Sequence, residues 1–246
     1  MIEMKTINAV WEERNLGIHT LEITFENETD ITELEMLLSS KAQSTGSRYL
    51  VVKVPVGDVD SLVRVKDLGF DVIEMITTVS VSSLPELSRV QQRFYKQISS
   101  QPMAGCDFDK MISNVDAGLF DTDRVTLDPK IPDVSTKTRF SGWMKDEQAR
   151  GSSFYKILYK NSDAGFFVLS PLKDGKITSV LAGIYTDFQK YTIGYFMNHL
   201  AYKESFKLGA RQVFTSFSSN NRGASSIHYS IACSLHNQYY VLTKID

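Results

Sequence analysis

The segment Phe188-Gln189-Lys190-Tyr191-Thr192-Ile193-Gly194 separates an apolar, β-branched run from a run with helical periodicity. The first run predicts a strand over Ile177–Thr186, and the second predicts a helix over Gly194–Leu208 that ends at Gly209. Successive backbone N–H groups at a helix N-terminus bind anions, and the helix dipole assists them. A glycine at position 194 lets a phosphate approach closely. Such a turn is also common without a ligand, so the segment alone leaves a purely structural role open.

On both sides of this segment, the sequence pattern of the second half predicts alternating strands and helices. The dipeptide Asp174-Gly175 is typical of a hairpin turn between two of the strands. The final strand could pair at a sheet edge, and a homodimer is one assembly that this allows. The further predicted elements are a strand over Asp123–Leu127, a helix over Ser135–Ala149 capped by Ser135, strands over Phe154–Tyr159, Gly165–Ser170 and Gln212–Phe217, a helix over Asn221–Cys233 and a strand over Tyr239–Lys244.

The N-terminal third has a strand–helix–strand–helix–strand pattern, which predicts a small α/β unit. Asp30 and Glu33 have the spacing of a capping box, and Asp58 is a second candidate helix cap. The segment Met4–Arg14 fits a short helix or a short strand. The predicted elements are strands over Thr20–Phe25, Tyr49–Val54 and Phe70–Val81, and helices over Ile31–Ala42, stopped by Gly46, and over Val59–Leu68, closed by Gly69.

A helical connector is predicted between the two halves. Apolar residues recur at helical spacing from Leu84 to Ile98, and a second helix is predicted over Asp107–Val115. These elements predict an N-terminal α/β domain with a helical connector over residues 1–115 and a second domain over residues 116–246.

Composition narrows the class of protein. The formal net charge is -2 and no basic block is present, so a nucleic-acid partner is not expected. Cys106 and Cys233 are too few for a disulfide framework, and His19, His199 and His236 lack further ligands at metal-binding spacing, so no metal is expected. No apolar run approaches a membrane span and the N-terminus does not resemble a signal peptide. The sequence therefore predicts a cytoplasmic protein without a membrane partner.

The order strand–turn–helix–strand–Asn–helix resembles the GCN5-related N-acetyltransferase (GNAT) family. In that family the turn has the pattern Q/R-x-x-G-x-G/A, which Gln189 and Gly194 match, while Thr192 replaces the middle glycine. A later pattern, N-x-x-A-x-x-x-Y, matches at Asn221 and Ala224, and His228 replaces its tyrosine. The Gly-Phe pair that usually ends this helix falls on Ala232-Cys233. The resemblance implies an α/β (α+β) fold, with a mixed sheet splayed at its centre, flanking helices and a smaller N-terminal α/β domain.

Shorter motifs are similar to one branch of the family, the sugar-nucleotide amine acetyltransferases such as TDP-fucosamine acetyltransferase. They span nearly the whole chain, so the branch implies a two-domain protein whose acceptor is an amino sugar nucleotide. The motifs are Trp11-Glu12-Glu13-Arg14-Asn15-Leu16-Gly17, Leu68-Gly69-Phe70-Asp71-Val72, Asp123–Pro129 and Arg139-Phe140-x-x-Trp143.

The resemblance implies that acetyl-CoA, or another acyl-CoA, is the co-substrate and that a small-molecule amine attacks its thioester. His228 is then predicted to protonate or hydrogen-bond the CoA sulfur, with Tyr185 as a second catalytic candidate. Arg124 and Arg139 are predicted to bind a sugar-nucleotide diphosphate. Packing or capping stays open for His228, packing for Tyr185, and a surface or structural role for the two arginines. Asn221 is also a candidate helix N-cap, and both of its roles can hold at once. The residues implied for acetyl-CoA are Ile184, Tyr185, Gln189, Lys190, Tyr191, Thr192, Ile193, Gly194, Asn221 and Ala224.

Two other function classes remain at this point. The departures at Thr192, His228 and Ala232-Cys233 fit a protein that keeps the fold and binds acyl-CoA or a protein partner without turnover. A different α/β nucleotide binder is less favoured, because the chain lacks the glycine-rich dinucleotide and P-loop signatures. The leading interpretation is an acyl-CoA-dependent N-acyltransferase.

Overall fold

The computed structural model describes residues 5–26, 30–40, 48–131, 138–231 and 233–246. Within these ranges the chain forms ten strands and nine α-helices. The strands are β1 Lys5–Asn8, β2 His19–Thr24, β3 Arg48–Pro55, β4 Asp71–Val81, β5 Ile98–Pro102, β6 Ser153–Tyr159, β7 Ser162–Leu169, β8 Lys176–Ile184, β9 Gln212–Ser218 and β10 Ser234–Ile245. The helices are α1 Val10–Leu16, α2 Asp30–Ser40, α3 Val59–Asp67, α4 Arg89–Tyr95, α5 Gly105–Asp116, α6 Arg124–Leu127, α7 Arg139–Ala149, α8 Ile193–Lys207 and α9 Arg222–Ser230.

All ten strands lie in one mixed sheet, in the order β1-β2-β3-β10-β4-β9-β8-β7-β6-β5. The pairs β2–β3 and β8–β9 are parallel, and the other neighbouring pairs in this order are antiparallel. β10 lies between β3 and β4, so the end of the chain completes the part of the sheet built by its beginning. The division at residues 115 and 116 is therefore not a break in the sheet, and it stays a prediction about folding units.

The sheet opens at its centre, between β8 and β9. These parallel strands pair only where Lys176–Ser179 faces Gln212–Thr215. Beyond that point Ala182 to Ile184 of β8 pair with β7, while Ser216 to Ser218 of β9 pair with β4. The predicted α/β fold with a mixed sheet splayed at its centre is confirmed.

Helices cover both faces of this sheet, as the contacts of β7 show. Alternate side chains of a strand point to opposite faces. Phe166 and Val168 pack in a cluster with Met111 of α5 and Met144 of α7. Phe167 packs on the opposite face, in the cluster that contains α8. Burial on both faces explains why β7 is a nearly continuous apolar run rather than an alternating one.

Gly165 is required where β7 and β8 approach each other. A Cβ atom at this position would lie 2.3 Å from the backbone oxygen of Gly183 and 3.0 Å from the Cα of Ile184. Backbone atoms cannot move aside as a flexible side chain does. The close contact therefore fixes glycine at the strand pair that forms one wall of the central opening.

Most of the predicted elements are confirmed, and α1 and β1 resolve the open assignment of Met4–Arg14 into a strand followed by a helix. Asp58 is confirmed as a helix cap, since its carboxylate accepts a hydrogen bond from the Ser61 N–H at 3.0 Å. The Asp174-Gly175 turn is also confirmed, because both residues have positive φ, as a type I′ hairpin requires. The proposed cap at Ser135 and the stop at Gly46 lie outside the described residues.

Two predicted elements and the expected position of a third were wrong. Asp123–Leu127 is not a strand, because the Asp123 carboxylate accepts from the Val125 N–H at 2.9 Å and starts the helical turn α6. The helix predicted from Leu84 to Ile98 is limited to Arg89–Tyr95: Ser88 and Gln91 form a capping box, and Ile98 begins β5 against β6. The last strand is not at an edge, since β3 and β4 flank it on both sides.

Among the described residues, none of the helices combines the length and apolar character needed to cross a lipid bilayer.

Candidate active site

A cleft of about 590 Å³ occupies the opening between β8 and β9. One end of it lies at the turn before α8 and the start of α9, and the other lies against β4 and α6. The predicted residues that line it are Arg124, Arg139, Ile184, Gln189, Asn221, Ala224 and His228. Glu74 and Ile76 of β4 line the same cleft, so both halves of the sequence contribute to it.

The β8 wall of the cleft offers backbone hydrogen-bonding groups. The Tyr185 N–H donates to the Ala164 oxygen at 2.9 Å, so Tyr185 turns its backbone groups toward β7. Backbone groups alternate in direction along an antiparallel strand, and those of Ala182 and Ile184 therefore point into the opening where β9 has diverged. The Gln189 side-chain amide donates to the Ile184 oxygen at 3.3 Å. β8 can thus accept an extended ligand as a replacement for the missing strand partner.

The turn between β8 and α8 is closed by its own backbone bonds. The Tyr191 N–H donates to the Phe188 oxygen at 3.0 Å, and the Ile193 N–H donates to the Tyr191 oxygen at 2.7 Å. Thr192 is the N-cap residue of α8 and its side chain forms no capping bond. The N–H groups in the first turn of a helix have no acceptor within the helix. The N-terminus of α8 therefore carries backbone N–H groups without partners inside the helix, and an anion site there stays a prediction.

Among the described residues that line the cleft, this turn contributes Gln189, and the predicted residues Lys190, Tyr191, Thr192, Ile193 and Gly194 are not part of the lining. Ile193 is buried in the core, and the Lys190 ammonium lies 5.4 Å from the Tyr191 ring centroid. The Tyr191 ring in turn packs 5.2 Å from that of Tyr159. Gly194 packs close to α9, since a Cβ there would lie 3.0 Å from the Ile227 Cδ1 atom. The turn thus contributes backbone groups, while its side chains hold it in place.

Asn221 begins α9 at the same end of the cleft. Its Oδ1 atom accepts a hydrogen bond from the Ala224 N–H at 2.9 Å, as an N-cap residue does. Both residues line the cleft. The capping role is confirmed, and the amide nitrogen of Asn221 remains available to a ligand.

His228 projects from α9 into the wall of the cleft. Its ring stacks on Phe217 with centroids 4.8 Å apart, and its Nδ1 atom lies 3.5 Å from the Tyr202 hydroxyl. Burial lowers the pKa of the His228 imidazole to about 4. At neutral pH roughly one ring in a thousand is therefore protonated, so His228 is equipped to form a hydrogen bond with a ligand as a neutral ring.

This burial predicts a pH dependence of stability that depends on His228. The pKa is about 4 in the folded protein against an ordinary 6.5, so the unfolded state binds more protons between these values. The stability that the neutral ring provides is complete above pH 6.5 and is lost as the pH falls toward 4, by on the order of 3 kcal/mol. Urea unfolding across this window should show a shallower loss for His228→Asn than for wild type.

His236, an exposed histidine, supplies the control. The His236→Asn variant should keep the wild-type pH dependence. An unchanged pH dependence in His228→Asn would contradict the buried, neutral state of His228.

The Tyr185 side chain lies on the other side of β8 from the cleft. It packs in the core with Met111, Phe140 and Phe166, and burial raises its pKa. Strand alternation places Ile184 toward the cleft and Tyr185 away from it. The structure therefore does not bring the Tyr185 hydroxyl to the other candidate residues.

Arg124 and Arg139 line the far end of the cleft within an ion-pair network. Arg139 donates to Glu12 from Nε and Nη2 and contacts Asp123 at 3.2 Å. Arg124 pairs with Glu12 at 3.1 Å and with Glu22. Burial alone would raise the Glu22 pKa, but Arg124 and Lys53 lower it to about 2. Both guanidinium groups are thus engaged by carboxylates of the chain.

Glu74 and Asn198 are among the polar residues of the cleft that sequence reasoning missed. Glu74 of β4 is 6% exposed, and burial raises the pKa of its carboxyl group. Asn198 of α8 is 5% exposed, and its amide donates to the Gly194 oxygen at 3.4 Å. A charged residue inside the apolar strand Phe70–Val81 was a detectable signal for Glu74. Asn198 had no comparable signal, because it lies within a helix of ordinary composition.

In the parts of the chain that the structure describes, no three His, Cys, Asp or Glu side chains are grouped so that they could hold a metal ion.

The splayed mixed sheet with helices on both faces is the fold of GCN5-related N-acetyltransferases. The chain is similar to the GCN5-related N-acetyltransferase from Sphaerobacter thermophilus, with a TM-score of 0.65 and 13% identity, covering 98% of this chain and 76% of that one. It is also similar to a GCN5-related N-acetyltransferase from Kribbella flavida, with a TM-score of 0.56 and 13% identity, covering 92% of this chain and 81% of that one.

A third similar structure is a tandem GNAT protein from the clavulanic acid biosynthesis pathway, without acetyl-CoA. Its TM-score is 0.53 at 10% identity, covering 93% of this chain and 76% of that chain. No protein-family model matches the sequence, and no curated protein matches it either. The likeness is therefore one of fold, and activity must be argued from the cleft itself.

Proposed function

We propose that this protein is an acyl-CoA-dependent N-acyltransferase that acts on a small-molecule amine. The observation that carries this proposal is the divergence of β8 from β9 directly beside the N-terminus of α8. An opened strand and a helix N-terminus at one end of a single cleft suit a ligand with an extended amide arm and a phosphate group. Structures of similar fold that are named as N-acetyltransferases support the same class.

The residues present fit acetyl-CoA. The first turn of α8 would hold its phosphates through backbone N–H groups. The backbone groups of Ala182 and Ile184 would pair with the pantetheine arm. Acetyl-CoA supplies the activated thioester when bound, and the backbone N–H groups of β8 would stabilise the oxyanion that develops on the acyl carbonyl.

Among the side chains, His228 is proposed to act at the thioester and Asn221 at the pantetheine arm. A neutral His228 would donate a hydrogen bond to the thioester sulfur, since its low pKa disfavours a charged acid. Asn221 would bind the pantetheine arm with its amide nitrogen while its oxygen caps α9. Tyr185 is left out of this proposal because its side chain lies in the core.

Substituting Asn221 separates its two roles. Aspartate caps helices as well as asparagine does, so Asn221→Asp should unfold at nearly the wild-type temperature. The KM for acetyl-CoA should nevertheless rise, by about tenfold, because the lost hydrogen bond is replaced by a carboxylate that repels the phosphates. Asn221→Ala should lose both stability and affinity. A wild-type KM in Asn221→Asp would limit Asn221 to capping.

The amino sugar nucleotide acceptor finds less support than the reaction class. A diphosphate needs free cationic donors, and the cations lining the described part of the cleft are Arg124 and Arg139. Both are already paired with carboxylates. We therefore propose a structural role for these arginines, and the sugar-nucleotide branch remains a prediction from sequence.

A turnover assay separates this proposal from a protein that binds acyl-CoA without reaction. The assay follows free thiol release from acetyl-CoA with and without a panel of primary amines. Amine-dependent thiol release with a matching acetylated product supports the transferase. Saturable acetyl-CoA binding without thiol release across the panel would instead identify the non-catalytic alternative.

A further inference from the structure

Glu74 differs from the other carboxylates at the far end of the cleft. Four carboxylates, those of Glu12, Glu22, Glu74 and Asp123, gather there around the cations Arg124, Arg139 and Lys53. The other three carboxylates form ion pairs. Within the described ranges no Lys or Arg nitrogen lies at ion-pairing distance from Glu74. Glu74 is therefore the surplus negative charge of the group.

The surroundings of Glu74 make that charge costly. Its side chain is only 6% exposed and it lines the cleft, where the Ser218 hydroxyl lowers its pKa as a hydrogen-bonding neighbour. Burial raises the pKa of the Glu74 carboxyl group and the Asp123 charge adds to this rise, which Arg124 and Arg139 only partly offset. A buried carboxylate without a cation of its own is stabilised by a cation that enters the cleft.

The wall beside this end of the cleft is apolar and aromatic. Phe120 and Phe140 pack with ring centroids 4.7 Å apart, and Trp143 lies 6.2 Å from Phe140. Leu119 and Ile76 line the same cleft. A ligand bound next to Glu74 would therefore place an uncharged, apolar portion against this wall.

We infer that Glu74 binds the acceptor and takes its proton, and that the acceptor is a phosphate-free primary amine with an apolar or aromatic portion. This inference rests on the proposed N-acyltransferase function. The amine enters as an ammonium ion and pairs with the Glu74 carboxylate. An acceptor that carries phosphate is disfavoured, because it would meet a surplus carboxylate and two arginines that are already paired.

The proton balance of the reaction follows. The ammonium transfers one proton to Glu74, which leaves a neutral amine with a free electron pair. The amine nitrogen forms a bond to the acyl carbon, the carbon–sulfur bond breaks, and the second amine proton goes to the departing thiolate. The products are an amide and the free thiol, and Glu74 returns its proton to solvent.

The experiment compares 2-phenylethylamine with glucosamine 6-phosphate, using the full chain and saturating acetyl-CoA. Wild type should acetylate 2-phenylethylamine with a kcat/KM at least about tenfold higher. Glu74→Gln should lower that kcat/KM by about 100-fold or more and keep the KM for acetyl-CoA within about twofold. Glu74→Gln should also abolish the acidic limb in the pH dependence of kcat/KM for 2-phenylethylamine. The exposed carboxylate variant Glu86→Gln is the matched control and should behave as wild type.

A second readout measures binding alone. Calorimetric titration of 2-phenylethylamine into the protein–CoA complex should give saturable binding that Glu74→Gln weakens about tenfold or more. Equal binding by both proteins, no binding by wild type, or a preference for glucosamine 6-phosphate would overturn the inference. If acetyl-CoA binds and is turned over in those cases, the proposed function survives alone. If acetyl-CoA does not bind, both fail.

Discussion

Replacing Arg124 with methionine is expected to lower the free energy of unfolding by about 3–5 kcal/mol. Arg124 is 8% exposed and pairs with Glu12, which is fully buried, and with Glu22. Burial by itself would lower the Arg124 pKa, but the neighbouring carboxylates raise it. Removing the cation leaves two buried carboxylates undercompensated, and that is far more costly than losing an exposed ion pair. Urea unfolding of both proteins at neutral pH measures the difference.

The exposed pair Arg64–Glu35 provides the matched control. Both of its side chains are well solvated, so Arg64→Met should cost no more than about 1 kcal/mol. A stable Arg124→Met variant with impaired substrate binding would contradict the structural role and restore Arg124 as a ligand for a diphosphate.

Replacing Thr192 with glutamate is expected to move stability and ligand binding in opposite directions. Thr192 is exposed at the N-terminus of α8, where a negative charge stabilises the helix by about 0.3–1 kcal/mol. The same negative charge would repel the phosphates of acetyl-CoA, which we propose to bind at this helix N-terminus. Affinity for acetyl-CoA should therefore fall by about 100-fold or more, while the thermal unfolding midpoint stays equal or rises.

Thr192→Gln has nearly the same size without the charge, and it should bind acetyl-CoA within about threefold of wild type. Thr192→Gly restores the glycine of the family pattern and should bind at least as well. If Thr192→Glu binds acetyl-CoA like Thr192→Gln does, the phosphates do not lie at the N-terminus of α8.

The elements that sequence predicted well are those with local signals. Asp58 caps α3 by accepting a hydrogen bond from a residue three positions along the chain. The hairpin at Asp174-Gly175 depends on the backbone conformation of those two residues alone. The failures came from competing local or distant contacts. The apolar residues Val125 and Leu127 suggested a strand, but the Asp123 cap starts a helical turn first.

In the candidate site too, features set by neighbouring residues could be predicted from the sequence, and features set by contacts between distant residues could not. The turn before α8 and the cap at Asn221 follow from short motifs. The glutamate partners of Arg124 and Arg139 are more than 100 positions away in the sequence, so no local pattern shows that these guanidinium groups are already engaged. Glu74 likewise reaches the cleft only because β10 and β9 flank β4 in the sheet.

Calorimetric titration of the purified protein with acetyl-CoA tests the central claim most directly, with free CoA as the control ligand. We expect saturable, one-site binding of both ligands in the micromolar range, because the proposed phosphate and pantetheine contacts are common to the two. Absence of heat, together with no thermal stabilisation at millimolar acetyl-CoA, would contradict the assignment of the cleft between β8 and β9 to an acyl-CoA.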